Sequence, residues 1–478
     1  MQTTEPAAGN PESTKTSPSK TTKKKKKKKA SATSIVVLGT YNPQASTGQP
    51  ATMPVTVIDN VAGNMDITPA TPAVPARRAV RSTRTGPSLQ ILPSEDPPTN
   101  VAATSLVISE FRVRGPNGAN DEFIEIFNGT GTDHTVAGGG TGYAIAASNG
   151  VARCVILNGT VIPNKGHWLC VNSVGYSLAS YPAGNGTTAT GDGTYTTDIP
   201  DNAGIAIFNT SIAADFTLAN RFDAVGSTSE ANTLYKEGTG YSALTPFSID
   251  YSFYRDNCGK NGSITTFGVC PSGGLVQDNN NNATDFVFVD TNGTSAGAGQ
   301  RLGAPGPENL SSPIERNASV AANFLDPCVS GASPPNRVRD FTSDPANNST
   351  FGTLDIRRSV QNNTGGNVTR LRFRVIDVTT FPAPSGIADL RPRTSTAVVV
   401  TVDRPPCGSG TSNVTVNGTT LEQPPSQPNG GGFNSSMSAG TVTLATPLAN
   451  GASIDVRFLL GIQQTGSFKF FLNVEALP

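Results

Sequence analysis

The chain has 478 residues, with 50 Gly, 36 Pro and only 15% charged residues, a composition that suits short strands and frequent turns and excludes an architecture of long periodic helices. Formal net charge is zero, but residues 1–90 carry 13 Lys or Arg against 4 acids, so the rest of the chain is acidic by the same margin. Such a body has no electrostatic footprint for nucleic acid, and no apolar run approaches the ~20 residues of a membrane-spanning helix.

Residues 1–100 read as a disordered region: a polar, aperiodic stretch with a lysine run from Lys23 to Lys29, then a Pro/Ala/Thr-rich linker. The lysine run is a solvated tail or, on a sharper reading, an adhesive patch for nucleic acid or an anionic envelope surface. "SIVVLG" is shorter than the ~7–15 apolar residues that should follow the charged start of a signal peptide, so no clear export signal is expected. A short strand over Ser34 to Leu38 or Met53 to Ile58 fits the local sequence, with nothing to anchor it.

From Val101 the pattern becomes period two. In "LVISEFRVR", Val107, Ser109, Phe111 and Val113 are expected on one face, and Ile108, Glu110, Arg112 and Arg114 on the other. A Gly-Pro-Asn-Gly turn leads to "DEFIEIFN". Further strands follow at "YAIAA", "ARCVILN", "HWLCVN", "AGIAIFN", "FTLANRFDAVG", "DYSFYRD" and "TDFVFVD". Glu110, Asp121, Glu122 and Glu125 are unusual in strands that build a core. They suit a catalytic cluster, a metal site or a structural scaffold, and the residues alone leave all three open.

A Pro/Gly linker spans 306–320, and a second series of strands fills 321–478: "TLDIRRSV", "VTRLRFRVIDV", "TSTAVVVTV", "SNVTVNGTTL", "GTVTLATPL", "ASIDVRFLLGI" and "SFKFFLNVEAL". The last two are expected to form a hairpin over "QQTGS". Leu371, Phe373 and Val375 alternate with Arg370, Arg372 and Arg374. The arginine row reads as a solvated face paired with Asp355, Asp377 or Asp455, or else as a binding stripe. The fold class expected is all-β: two β-sandwich domains in tandem, 101–305 and 321–478, after the disordered region.

"LVISEF", the Gly-rich turn, "DEFIEIFN", "IPDNAGIAIFN", "RFDAVG", "YSFYRD" and the closing "TDFVFVDTNGTSAGAGQRLGAPGPENLSSP" together resemble the lamin tail domain in its bacterial versions, over about residues 105–313. The likeness implies an immunoglobulin-like sandwich. It marks Glu110, Asp121, Glu125, Asn128, Asp223 and Arg255 as signature residues of the fold, with structural rather than catalytic roles. No heptad rod accompanies it, so the likeness does not extend to a nuclear lamin.

Chemistry-bearing motifs are few. The chain holds two histidines, His134 and His167, and no HExxH, CxxC or P-loop. "GTSAG", Gly293 to Gly297, matches the nucleophile-elbow pattern, but the segment after it cannot form the required helix and no His follows Ser295. "DNNNNATDFVFV" opens like an EF-hand loop and then fails, with Ala283 at the sixth position and Val289 at the twelfth. Asp278 and Asp285 remain candidates for a looser Ca²⁺ site, and no other cofactor is expected.

Six cysteines divide by locality into Cys154 with Cys170, Cys258 with Cys270, and Cys328 with Cys407. They suggest disulfides and an extracellular or surface location, the alternative being scattered thiols in the cytoplasm. The functional expectation is a non-enzymatic structural or adhesion protein binding a cell-envelope component, a polysaccharide or a partner protein. The alternative is an accessory subunit of an extracellular nuclease or phosphoesterase system.

Overall fold

Two pairs of β-sheets hold most of the strands among the described residues. The computed structural model describes residues 35–39, 102–182, 186–243, 249–256, 276–291, 301–316, 319–378, 388–424, 429–466 and 468–478. The protein is all-β. The α-helix among these residues is a single turn, Asn282–Asp285.

In the N-terminal pair, a seven-stranded sheet runs Arg301–Leu302, Phe286–Asp290, Tyr251–Arg255, Leu106–Arg112, Phe123–Asn128, His167–Asn172, Gly193–Tyr195. It faces a four-stranded sheet of Arg221–Val225, Ile205–Phe208, Gly142–Ala147 and Ala152–Leu157. Ile124, Ile126, Trp168, Phe253 and Phe288 meet Ile145, Ile156 and Ile207 in the shared core. The Cys154–Cys170 disulfide joins strands of the two opposing sheets, not the arms of one hairpin.

Strict alternation fails in the first strand. The register with Phe123–Asn128 shifts between Ile108 and Glu110, so Ser109 is the extra residue of a β-bulge. The bulge puts Leu106 and Ile108 in one core with Phe111 and Val113, while Val107 packs elsewhere with Ala103, Phe127 and Val276. It also aligns Glu110 directly across from Glu125 and beside Tyr254 on the outer face of the sheet.

The C-terminal pair holds a six-stranded sheet (Ile35–Gly39, Phe468–Leu477, Arg370–Val378, Ser436–Ser438, Thr420–Glu422, with Ile314–Glu315 also on Phe468–Leu477). Its partner is a five-stranded sheet of Val320–Phe324, Thr353–Asn362, Ser453–Gln464 and Asp389–Arg393, with Arg337–Asp340 also on Thr353–Asn362. The short strand expected over Ser34 to Leu38 is present as Ile35–Gly39 and is anchored by antiparallel pairing with Phe468–Leu472. Two expectations are corrected here. Ser453–Gln464 and Phe468–Leu477 lie in different sheets, so the "QQTGS" segment crosses between sheets instead of closing a hairpin. "GTVTLATPL" is a turn held by Thr443 and Thr446, with Leu444 exposed. The other disorder expected in residues 1–100, including the lysine run, lies outside the described residues.

Both pairs end a strand with the same asparagine device. Asn128 Oδ1 accepts from the N–H of Thr130 at 3.0 Å and its hydroxyl at 2.7 Å, while Nδ2 donates to Thr132 O and Ile162 O. Asn362 repeats this with Thr364 at 3.0 and 2.7 Å, donating to Gly366 O and Leu448 O. Each side chain thereby saturates the polar groups of a loop that the sheet ladder leaves unpaired.

The Pro/Gly segment after residue 305 is packed, not free: Glu308, Asn309 and Ser312 are buried. The described residues form one compact unit.

Candidate functional site

The outer face of the seven-stranded sheet brings Glu110 and Glu125 side by side, and the outer face of the six-stranded sheet brings Arg372 and Arg374 between Asn473 and Glu475. Opposite these arginines, Leu371, Phe373 and Val375 enter the C-terminal core, so the alternation holds. The solvated-face expectation for the row does not. Arg372 is fully buried and Arg374 nearly so, because a second sheet covers them. Arg370 alone is partly exposed.

The joint segment supplies the third component. Arg372 donates to Glu308 and Glu422, each at 2.5 Å, and Arg374 lies 3.0 Å from Glu308 and 2.7 Å from Glu475. Backbone N–H groups of the same segment reach the N-terminal acids: Gly306 to Glu110 at 2.9 Å and Glu308 to Glu125 at 2.6 Å. Ser109, the bulge residue, donates to Glu125 at 2.5 Å. Gly306 suits the close approach, since a Cβ there would meet the Asn434 backbone carbonyl at 2.9 Å as well as the Arg374 guanidinium. The acids foreseen as partners of the row pair elsewhere: Asp355 with Arg357 and Arg457, and Asp455 with Arg404.

Burial pushes the carboxyls of Glu110, Glu125 and Glu475 upward, and in Glu125 the neighbouring Glu110 and Glu308 push the same way. His167 approaches Glu308 at 3.1 Å and Glu125 at 3.6 Å. Burial, with Arg374 nearby, holds the imidazole down to about 3, so the ring is neutral and these contacts are not ion pairs. Glu125, His167 and Glu308 are close enough to suggest a metal, but the Arg374 guanidinium already neutralises Glu308. The cavity bounded by Glu110, Glu125, His167, Arg374 and Glu475 has about 30 Å³ of free space, room for one or two waters.

The other signature positions are also internally bonded. Asp121 pairs with Arg112 and accepts from the N–H groups of Asn117 and Ser177, fixing the turn after the first strand. Asp223 and Arg255 form a fully buried pair at 2.6 Å. Asp223 accepts from the N–H of Ile108, and Arg255 donates to the Ile108 carbonyl. The pair therefore serves the backbone groups of Ile108, beyond the last residues matched between this strand and Tyr251–Arg255. Asp285, one of the two acids expected for a looser Ca²⁺ site, accepts from the N–H groups of Asn279 and Asn281 and from the Asn279 amide. Asp278 lies 3.5 Å from Arg255 and remains partly exposed.

His134 contacts the Tyr143 hydroxyl at 3.2 Å. Cys328 and Cys407 are disulfide-bonded, and no cysteine among the described residues is free. Cys258, Cys270 and the "GTSAG" segment with Ser295 lie outside the described residues. The two disulfides fit an oxidising compartment.

A pH dependence follows from the buried acids. Burial raises Glu122 to about 8 and Asp192 to about 6, in the same direction as Glu110, Glu125 and Glu475. A raised folded value means the folded chain holds its proton more tightly than the unfolded chain. The stability this contributes is complete below the ordinary carboxyl value and is lost as pH rises through the folded values. His167, held down by burial, opposes this below about pH 6.5, so the melting temperature followed by circular dichroism is expected to fall most clearly between pH 6.5 and 8. A constant or rising value over that window contradicts the assignment. Family models, curated proteins and solved structures yield no match to this chain.

Proposed function

We propose that the chain is a non-enzymatic structural or binding protein of the bacterial cell surface or secreted fraction, in which a lamin tail-like sandwich is fastened rigidly to a second β-module. One observation carries this: the acidic residues most suggestive of chemistry are consumed by internal partners. Acid–base catalysis or metal chemistry needs carboxyls that reach a substrate in a cleft. Glu110, Glu125 and Glu308 instead face two buried arginines across a joint with space for a water or two.

A packed joint suits a protein that must present a surface at a fixed distance and angle, because interdomain motion is the default where the contact is small or wet. The disulfides support action outside the cytoplasm. The ligand class this favours is an envelope component, a polysaccharide or a partner protein. Purified full-length chain mixed with isolated cell envelopes and with their extracted polysaccharide is expected to be retained by one of them, with no hydrolase accompanying it. Recovery in stoichiometric complex with a nuclease or phosphoesterase would overturn the proposal in favour of an accessory subunit.

A further inference from the structure

A second acidic cluster shares no residue with the joint. Asp223 comes from the strand Arg221–Val225, Glu237 from the loop after it, and Asp278 from the loop before the Asn282–Asp285 turn. One carboxylate oxygen of each lies within 4.8 Å of the other two. Asn282 ties the loops together: its Oδ1 accepts from the N–H groups of Gly226 at 2.9 Å and Glu237 at 3.0 Å, and its Nδ2 donates to Ala224 O at 2.8 Å. The acids are thus held together and cannot separate to relieve their repulsion.

The local charges do not balance. Asp223, Glu237, Asp278 and Asp285 are met by Arg255 and Arg221. Asp285 is satisfied by N–H donors, and Asp223 by Arg255 and two backbone N–H groups. Glu237 gives Oε1 to Arg221 at 2.9 Å, while its Oε2 is buried with no hydrogen-bond donor on a side chain only 5% exposed. An ionised oxygen so placed needs a proton or a cation.

We propose that Asp223, Glu237 and Asp278 form a divalent-cation site selective for Ca²⁺. With all four carboxyls ionised, the two guanidinium groups leave two negative charges, which one divalent ion neutralises in place of the proton that burial otherwise favours on Glu237. The donors are all oxygen, which favours hard cations over Zn²⁺ or Cu²⁺. Ca²⁺ fits better than Mg²⁺ because two ligands are loop-borne and irregularly placed, whereas Mg²⁺ demands a near-ideal octahedron. Asp278, with a side chain 16% exposed, lies at the solvent edge, where water can complete the coordination shell.

The test uses full-length chain stripped with a chelator, dialysed, and titrated with CaCl₂ by calorimetry and by thermal melting. One Ca²⁺ per chain is expected, with Kd on the order of 10⁻⁴–10⁻³ M as in extracellular modules, together with a saturable rise in melting temperature. Glu237→Gln can keep the Arg221 hydrogen bond through its carbonyl, and it is expected to weaken Ca²⁺ binding at least tenfold, as is Asp278→Asn. A folded Glu237→Gln chain with wild-type Ca²⁺ response would overturn the proposal. So would the absence of heat and of any melting shift at about 10 mM CaCl₂, a concentration that saturates a site in this affinity range, since a proton would then satisfy Glu237. An equal response to MgCl₂ would overturn the selectivity.

Discussion

Replacing Arg372 with methionine is expected to destabilise the chain by about 3–5 kcal/mol, the usual cost of removing one partner from a buried ion pair. Methionine preserves much of the side-chain volume, so the loss reports charge and hydrogen bonding more than a cavity. Glu422 is stranded most completely. It loses the guanidinium at 2.5 Å and keeps the Ser436 hydroxyl at 3.2 Å. Glu308 is less exposed to the change because Arg374 remains at 3.0 Å. The Pro182 carbonyl, on a loop of the N-terminal half, loses its donor at 3.2 Å. Arg370→Met, two residues away and partly exposed, should alter stability by no more than about 0.5 kcal/mol. Urea midpoints of the two variants at one pH distinguish a buried joint from a solvated arginine row. Equal midpoints would restore the solvated face.

Converting Cys328 and Cys407 together to serine should release the ribbon Val398–Asp403 with Thr411–Val416 while the sheets beneath it stay folded. This ribbon is a separate two-stranded sheet whose buried core consists of Leu325, Val402 and Val416. Two strands with so small a core are marginal in water. With the sheets folded, the chain that the disulfide restrains is the ribbon itself, residues 398–416, and closing a loop of that size contributes about 3 kcal/mol of chain entropy. Asp326 reinforces the same point, accepting from the N–H groups of Cys328 and Asp403. Without the bond, amides of residues 398–416 should exchange with solvent on the order of a hundredfold faster, the equivalent of that free energy. Protection that survives the double substitution would show that backbone contacts such as the Asn417–Val456 bridge suffice.

Much of the strand pattern was legible because alternation and turn residues are local signals. "DEFIEIFN", "HWLCVN" and "TDFVFVD" each fold as a strand close to the limits their composition suggests. What escaped depends on residues far apart in sequence. The bulge at Ser109 adds one residue without changing composition, so strict alternation put Ile108 and Phe111 on opposite faces. "QQTGS" fits a hairpin turn and a crossing between sheets equally well. "GTVTLATPL" alternates superficially, yet Leu444 is exposed and the segment turns on its threonines.

The joint was half visible. Glu110 and Glu125 stood out as carboxylates in core-forming strands, but their counterparts Arg372, Arg374 and Glu475 lie more than 200 residues away. A sheet's outer face reads the same whether water or another sheet covers it. Asp223 and Arg255 came only from the family resemblance, since nothing near either in sequence indicates the other.

The most direct measurement is a double-mutant cycle between Glu308 and Arg372, using Glu308→Gln, Arg372→Met and the combined variant in urea unfolding of the full chain. If Glu308 and Arg372 form a buried ionic joint, the double variant should be less damaged than the sum of the singles. The expected coupling is about 1–3 kcal/mol. Additivity within about 0.5 kcal/mol would contradict the joint. It would return Glu110, Glu125 and Glu308 to consideration as groups kept for chemistry.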